Sequence, residues 1–176
     1  MINKPYKILY SEEQIAQRIS TLAESINKDY QNLTEDNPLI VIVVLKGAFI
    51  FAADLVRRLK VPLRMEFIGV SSYVGTKSTG HVRITNDLTA EIKDHHILVV
   101  EDIIETGTTI DFLMKLLQVR EPSSTKICSL LSKPHCHQMS HKVDYSGFEI
   151  SDEFVIGYGL DLDGSLRQTP YLVQMI

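Results

Sequence analysis

Three acidic side chains and a turn rich in hydroxyl groups stand close together in the middle of the chain. Glu101, Asp102 and Glu105 are followed by Thr106, Gly107, Thr108 and Thr109. Carboxylates at the end of a strand can accept hydrogen bonds from hydroxyl groups or bind a divalent cation. A small turn that opens a helix offers free backbone N–H groups to an anion, and Gly107 lets that anion approach closely. We call residues 106–109 the anion turn.

The acidic rim and the anion turn favour ligand groups of opposite character, because bare carboxylates repel a nearby phosphate. A ligand with a phosphate at one end and hydroxyl groups at the other reconciles them, and a divalent cation neutralises further negative charge. A ribose phosphate has this layout. The sequence lacks the motif GxxxxGK(S/T), and Gly157, Gly159 and Gly164 are not spaced as GxGxxG.

The elements that must position these groups follow an α/β pattern. Residues 97–100 and 39–45 are unbroken apolar runs, which are typical of strands buried on both faces of a parallel sheet. Residues 126–131 and 154–160 are two further predicted strands. The polar residues that follow these four strands are Glu101, Lys46, Lys133 and Asp161. Because ligands of open α/β sheets bind beyond the carboxyl ends of the strands, we expect all of them to face one crevice.

The remaining segments predict helices and an antiparallel ribbon. Ser11 and Gln14 form a capping-box pattern at the start of an amphipathic helix, and residues 48–59 and 110–117 predict two more helices. Residues 65–70 predict a strand. After the small, polar stretch 71–80, alternating residues from Val82 to Thr85 predict an antiparallel ribbon with a mobile tip, and composition alone leaves open whether that tip is a lid or a plain mobile hairpin. The predicted fold is therefore a mostly parallel, twisted sheet flanked by helices.

Composition limits the class of protein. The 176 residues are 44% hydrophobic and 23% charged, as expected for a single compact domain over residues 1–176. The net charge of −4 predicts no general attraction to nucleic acid or anionic membranes. Residues 1–14 lack the apolar core of a signal peptide and no apolar run approaches the ~18 residues of a membrane span, so we expect a cytoplasmic protein. Cys128 and Cys136 are expected to be reduced.

Four motifs between residues 39 and 167 resemble type I phosphoribosyltransferases, and they appear in the family's order. Residues 99–109, VVEDIIETGTT, are similar to the phosphoribosyl-pyrophosphate signature, in the form found in hypoxanthine-guanine phosphoribosyltransferases. Residues 45–47 resemble the pyrophosphate loop, in which the Leu–Lys bond is often cis. Residues 131–134 and 154–161 resemble the purine-binding segments. The resemblance implies a core of about residues 39–167 with a small hood built by the N-terminal and C-terminal segments.

The resemblance also implies a role for each motif. The ribose hydroxyls would bind Glu101 and Asp102, and the 5′-phosphate would bind Thr106, Gly107, Thr108 and Thr109. Pyrophosphate would bind Lys46, Gly47 and Arg167. The purine would contact Ile104, Lys133, Phe154 and Val155, with Lys133 donating to O6 of a 6-oxopurine. Mg²⁺ would bind Asp161 and Glu101. Ser72 and Tyr73 would belong to a lid that closes over the site and excludes water.

Glu105 departs from the family pattern. The resemblance implies that this position carries the general base that interacts with N7 of the purine, but the family usually has aspartate there. The carboxylate is kept in this sequence, and the extra methylene changes its reach.

Residues 135–141 offer a different metal pattern. His135, Cys136, His137 and His141 are close in sequence, and the last two have helical i, i+4 spacing. Structural zinc sites usually combine C-x2–4-C with H-x3–5-H, often with the second pair far away. We therefore interpret this region as a surface loop with incidental histidines, and Cys128 as a core residue.

The implied reaction belongs to purine salvage. It transfers the phosphoribosyl group from 5-phosphoribosyl 1-pyrophosphate to N9 of hypoxanthine or guanine, giving IMP or GMP and pyrophosphate. The resemblance further implies a homo-oligomer, either a dimer or a tetramer. One alternative is an enzyme of the same fold that prefers xanthine, since nothing in the sequence settles the purine 2-position. The other is a non-catalytic regulator that senses the nucleotide and binds RNA or DNA, which would carry a basic patch.

Overall fold

The computed structural model describes residues 5–72 and 82–176. The elements in chain order are β1 (Tyr6–Tyr10), α1 (Glu12–Asp29), β2 (Leu39–Leu45), α2 (Phe49–Val56), β3 (Leu63–Ser72), β4 (Val82–Asn86), β5 (His96–Ile104), α3 (Thr108–Gln118), β6 (Ser124–Ser132), β7 (Tyr145–Glu149), β8 (Val155–Ile156) and β9 (Leu172–Met175). A single 3-10 turn, Pro134–Cys136, follows β6.

The larger sheet has the strand order β4-β3-β2-β5-β6-β7. Strands β3, β2, β5, β6 and β7 pair in parallel, and β4 pairs with β3 in the antiparallel direction. In the central register Val99 lies between Ile42 and Ile127. The predicted mostly parallel sheet is confirmed, and so is the antiparallel ribbon at its edge.

Helices cover both faces of this sheet, because alternate residues of β2 and β5 supply two apolar layers. Leu39, Val41 and Val43 pack in one layer with α1 and α2, whereas Ile40 and Ile42 pack in the other with α3. The predicted capping box of α1 is present, with both Ser11 and Gln14 making their reciprocal bonds. Helix α2 ends earlier than residue 59, because the chain tightens into i→i−3 hydrogen bonds at Arg58 and Leu59.

A second, three-stranded sheet has the order β1-β9-β8 and joins the two ends of the chain. Tyr6 pairs with Met175, and Ile156 pairs with Val173. This small sheet is the predicted hood.

The strand predicted over residues 154–160 was wrong in its extent and its place. Only Val155–Ile156 is a strand, and it pairs with β9 in the hood rather than beside β6 or β7. The three residues that follow have positive φ angles, 95° at Gly157, 49° at Tyr158 and 105° at Gly159, so the chain turns instead of continuing. Asp161 therefore lies on a turn of the hood. The sixth strand of the main sheet is β7, which the sequence did not predict.

Strand β3 ends at Ser72 and strand β4 begins at Val82, so the two strands flank the predicted lid. The backbone of Ser72 pairs with Val82, and Tyr73 lies outside the described residues. Among the helices of the described residues, none has the length and apolar content that a membrane crossing requires.

Candidate active site

Two carboxylates stand at the carboxyl end of β5, where the buried apolar run stops. Glu101 is buried and Asp102 is half-buried. The backbone N–H of Asp102 donates to Oε1 of Glu101 at 3.1 Å. Burial, and then the neighbouring Asp102 carboxylate, raise the pKa of Glu101 well above its ordinary value. The two acids thus differ: one is buried and holds its proton more strongly, and the other is partly exposed.

The loop after β2 lies directly against this acid pair. A Cβ added at Gly47 would overlap Oδ2 of Asp102, so the close approach requires glycine at this position. The preceding Leu45–Lys46 peptide bond is cis, as the family resemblance predicts. Lys46 itself is exposed. The sequence-predicted pyrophosphate loop is therefore placed in contact with the sequence-predicted ribose-binding acid.

The turn after β8 extends this contact towards the hood. A Cβ at Gly159 would overlap the carbonyl oxygen of Gly47. Arg167 donates from Nη1 to the carbonyl oxygen of Gly159 at 2.7 Å, and its Nη2 pairs with Oδ1 of Asp161 at 2.5 Å. Four residues predicted separately from sequence, Asp102, Gly47, Arg167 and Asp161, thus join the site through one chain of contacts. That chain runs from Gly47 to Arg167 through Gly159, which had no assigned role.

A cleft of about 210 Å³ lies between the end of β5 and the hood, and we call it the central cleft. Its lining consists of Asp102, Ile103, Glu105, Glu153, Phe154, Val155, Leu160 and Asp161. Phe154 is 56% exposed, so its ring is not a core residue, whereas Val155 is buried. An exposed aromatic ring at a cleft can stack on a planar ligand.

Lys133 contacts Glu105, which lines the central cleft. Its side chain is only 9% exposed, and its Nζ lies 2.5 Å from Oε1 of Glu105. The backbone N–H of Lys133 donates to the carbonyl oxygen of Ile104 at 2.8 Å, which fixes the end of β6 against the end of β5. The side chain of Ile104 is buried in the core layer beneath α3. A largely buried ammonium group beside a carboxylate can present a hydrogen-bond donor to a ligand in the cleft.

The anion turn opens α3 as predicted. Gly107 is the N-cap of the helix with φ 82°, and a Cβ there would lie 2.5 Å from Sδ of Met139. The hydroxyl groups of Thr106 and Thr108 are 3.0 Å apart, and Thr109 is half-buried in the first helical turn. A second cleft, of about 380 Å³, opens beside this turn. It is lined by Val82, Thr106, Thr108, Asp111, Phe112, Lys115, Gln138 and Met139.

Comparison with known proteins decides the family. Residues 5–163 match the model of the phosphoribosyl transferase domain. The chain belongs to the phosphoribosyltransferase family. It is 44% identical over 170 residues to a hypoxanthine phosphoribosyltransferase of Haemophilus influenzae, covering 96% of this chain and 94% of the relative. It is 42% identical over 168 residues to a hypoxanthine-guanine phosphoribosyltransferase of Mycobacterium bovis, covering 94% and 83%.

A solved phosphoribosyltransferase has the same fold. The structure of the Trypanosoma cruzi hypoxanthine phosphoribosyltransferase in complex with the product IMP superimposes with a TM-score of 0.91 at 42% identity, covering 100% of this chain and 96% of that one. The type I phosphoribosyltransferase fold expected from the sequence is therefore confirmed.

Two polar residues that line these clefts were missed by the sequence analysis. Lys115 lines the cleft beside the anion turn, and its i+7 spacing from Thr108 on α3 could have indicated that both share one helix face. Glu153 lines the central cleft, and within the described part of the chain its buried Oε2 has no hydrogen-bond partner. No motif marks Glu153, since it lies between elements.

Two residues, Asp161 and Glu101, were predicted to bind Mg²⁺, and only Asp161 lines the central cleft. Mg²⁺ is usually held by one or two carboxylates together with substrate phosphates and waters. Asp161 is half-exposed in the cleft, where its oxygens already accept from Arg167 and from the backbone N–H of Gly164 at 2.6 Å. Glu101 is buried, and the cleft is lined instead by its neighbour Asp102. Asp161 therefore fits a magnesium ligand better than Glu101 does.

The histidines of residues 135–141 are dispersed among different partners. His137 contacts the hydroxyl of Ser132 at 3.2 Å, and His141 contacts Asp111 at 2.9 Å. His135, Cys136, His137 and His141 therefore do not form one common zinc site.

Proposed function

We propose that this phosphoribosyltransferase is a purine-salvage enzyme that transfers the phosphoribosyl group of 5-phosphoribosyl 1-pyrophosphate to N9 of hypoxanthine or guanine, releasing pyrophosphate. The observation that carries this proposal is the buried Lys133 ammonium held against Glu105 at a cleft that also contains Asp102 and Asp161. The relatives named above support the same substrates, because hypoxanthine and guanine appear in their names.

Recognition of the base would depend on Lys133 and Phe154. The Lys133 ammonium has donors and no acceptor, so it can bind the O6 atom of a 6-oxopurine but not the amino group of adenine. The exposed ring of Phe154 provides a face on which the purine stacks. Together they favour hypoxanthine and guanine over adenine. The 2-position of the purine is left open by both contacts.

Binding of the sugar substrate would use both clefts. The 5′-phosphate binds the backbone N–H groups of the anion turn, with the Lys115 ammonium lining the same cleft. Asp102 and Glu101 accept hydrogen bonds from the ribose hydroxyls. Lys46, Gly47 and Arg167 bind the pyrophosphate, with the guanidinium fork of Arg167 suited to its oxygens.

Transfer of the sugar builds positive charge at C1 and negative charge on the leaving pyrophosphate. Asp102 and Glu101 favour the cationic sugar, while Lys46 and Arg167 stabilise the departing anion. Glu105 acts as the general base at the purine N7 position, where the family usually has an aspartate. A magnesium ion bound by Asp161 and the substrate would supply further charge neutralisation at the pyrophosphate.

The other expectations from the sequence extend this proposal. We expect Ser72 and Tyr73, the second of which lies outside the described residues, to belong to the lid that the family resemblance implies. We expect Ile104 to border the purine. The protein is a single-domain homo-oligomer of the cytoplasm. The lid, the contact of Ile104 and the homo-oligomer rest on the family resemblance, whereas the single domain and the cytoplasmic location rest on composition and on the sequence of residues 1–14.

A pyrophosphate-release assay tests the proposal. The protein is incubated with Mg²⁺ and 5-phosphoribosyl 1-pyrophosphate, and the rates with hypoxanthine, guanine, xanthine and adenine are compared. We expect turnover with hypoxanthine or guanine and a much lower rate with adenine. A preference for xanthine would favour the alternative enzyme, and no turnover with any 6-oxopurine would contradict the proposal.

A further inference from the structure

A second cluster of ligand-type side chains lies outside the central cleft. His135 and Cys136 come from the 3-10 turn after β6, and Asp152 comes from the segment before β8. One donor atom from each lies within 4.8 Å of the other two, and Nε2 of His135 is 2.8 Å from Oδ1 of Asp152. Among residues 5–72 and 82–176, no other three His, Cys, Asp or Glu side chains meet this condition.

The donors of this cluster differ in kind from those at Asp161. An imidazole, a thiol and a carboxylate form a borderline-soft set, which favours Zn²⁺ and related transition metals over Mg²⁺. Three protein ligands would leave one coordination position for water, as in open zinc sites.

The side chains are accessible to an ion in solution. His135 and Asp152 are exposed, and Cys136 is half-buried. The other cysteine, Cys128, is fully buried, and burial raises the pKa of its thiol. Cys136 is therefore the thiol that can meet a metal ion without unfolding of the core.

The cluster connects two segments that border the central cleft. Lys133 lies two residues before His135, and Phe154 lies two residues after Asp152. The two segments are already joined by the hydrogen bond from the N–H of Ile150 to the carbonyl oxygen of Ser132, at 2.9 Å. An ion bound by all three side chains would add a second tie between them, close to Lys133 and Phe154.

We propose that His135, Cys136 and Asp152 form a binding site for one Zn²⁺-class ion, which ties the turn after β6 to the segment before β8. The ion binds Nε2 of His135 in place of the proton shared with Asp152, and that proton moves to Nδ1 of the ring or to solvent. The Cys136 thiol releases its proton to solvent on binding. The site is distinct in residues and in metal class from the magnesium site proposed at Asp161.

Titration of the full-length protein with Co²⁺ tests the site, because a cobalt–thiolate bond gives a charge-transfer absorption. We expect this absorption to saturate at one equivalent and to be abolished by Zn²⁺ but not by excess Mg²⁺. Cys136→Ser should remove it, and Asp152→Asn should weaken Co²⁺ binding at least about tenfold. His141→Gln is the matched control, because His141 forms a similar His–Asp contact with Asp111, at 2.9 Å. That variant should titrate like the unmodified protein.

Hydrogen exchange tests the tie between the segments. Zn²⁺ should slow amide exchange in residues 133–136 and 152–154 of the unmodified protein and should not do so in Cys136→Ser. Far-ultraviolet circular dichroism confirms that each variant is folded. The proposal is overturned if the thiolate absorption is absent, if it survives in Cys136→Ser, or if exchange is unchanged by Zn²⁺. None of these measurements needs turnover, so they stand independently of the proposed activity.

Discussion

The Nζ atom of Lys133 lies 2.5 Å from Oε1 of Glu105, so the residue proposed to recognise the purine O6 is paired with the residue proposed to act at N7. Lys133 is almost fully buried, whereas the Glu105 side chain is 56% exposed. Because a buried ammonium requires a polar partner, Glu105 serves as that partner when no base is bound. A purine that enters the cleft must share or replace this contact.

Replacing Glu105 by Gln should lower kcat by about 10²- to 10⁴-fold, the usual contribution of general acid–base catalysis. The KM for 5-phosphoribosyl 1-pyrophosphate should change little, because the anion turn is untouched. Steady-state kinetics with hypoxanthine check this split. Glu105→Asp keeps the carboxylate and should retain most of the activity, and Glu91→Gln, at an exposed site, is the control. A normal rate in Glu105→Gln would remove the catalytic role.

Replacing Lys133 by Met should weaken binding of the base. A hydrogen bond to a charged group contributes about 1.5–3 kcal/mol, which corresponds to a rise of roughly 10- to 100-fold in the KM for hypoxanthine. The KM for the sugar substrate should stay near its original value. Lys93→Met, which removes an exposed lysine, provides the comparison. An unchanged KM for hypoxanthine would show that Lys133 does not contact the base.

Replacing Gly47 by Ala should disrupt the site through Asp102, because the added Cβ would overlap Oδ2 of that residue. We expect a marked loss of kcat/KM for 5-phosphoribosyl 1-pyrophosphate. The double variant Gly47→Ala/Asp102→Ala separates this clash from other effects. If the clash is the cause, the double variant is about as active as Asp102→Ala alone. Fully additive losses would point to a separate role for Gly47.

Much of the fold follows from short-range patterns, and the remainder depends on tertiary contacts. The apolar runs of β2 and β5 predict buried parallel strands because side chains on both faces must be apolar there. Residues 154–160 are similarly apolar, but the positive φ angles at Gly157, Tyr158 and Gly159 end the strand and direct the chain into the hood. Strand β7 was missed because Ser146 and Gly147 interrupt its apolar pattern, and its pairing with β6 supplies the missing stabilisation.

In the candidate site, too, some features follow from short-range sequence patterns and others depend on tertiary contacts. The motifs predict that Lys46, Glu101 and Lys133 lie at the carboxyl ends of parallel strands, since these strands share one chain direction. They do not predict that Asp161 lies on a turn of the hood. They do not predict the distance between Lys133 and Glu105, because that contact joins side chains 28 residues apart. The contact of Gly47 with Asp102 likewise depends on the packing of β2 against β5.

Replacing Glu101 by Gln should change how stability depends on pH. Burial raises the pKa of Glu101 above its ordinary value of 4.5, so the folded state holds its proton more strongly than the unfolded state. The stability from this group is fully present below pH 4.5 and is lost as pH rises through the raised pKa. Glu101→Gln has no such loss, so without metal and substrate it should be more stable than the original protein at neutral pH.

Urea unfolding at several pH values checks this prediction. The free-energy difference between Glu101→Gln and the original protein should be smallest in acid and should grow as pH rises, by about 1.4 kcal/mol for each unit by which the pKa is raised. Activity of the variant should fall, because the ribose contact is weakened. A stability difference that is constant with pH would contradict the assigned pKa shift.

A crystal structure of the protein with IMP tests most directly the claim that the acidic rim and the anion turn serve one ligand. We predict that the 5′-phosphate binds the backbone of residues 106–109, the ribose hydroxyls bind Asp102 and Glu101, and O6 of the base binds Lys133 beside Phe154. A nucleotide bound away from these residues, or with its phosphate outside the anion turn, would contradict the account.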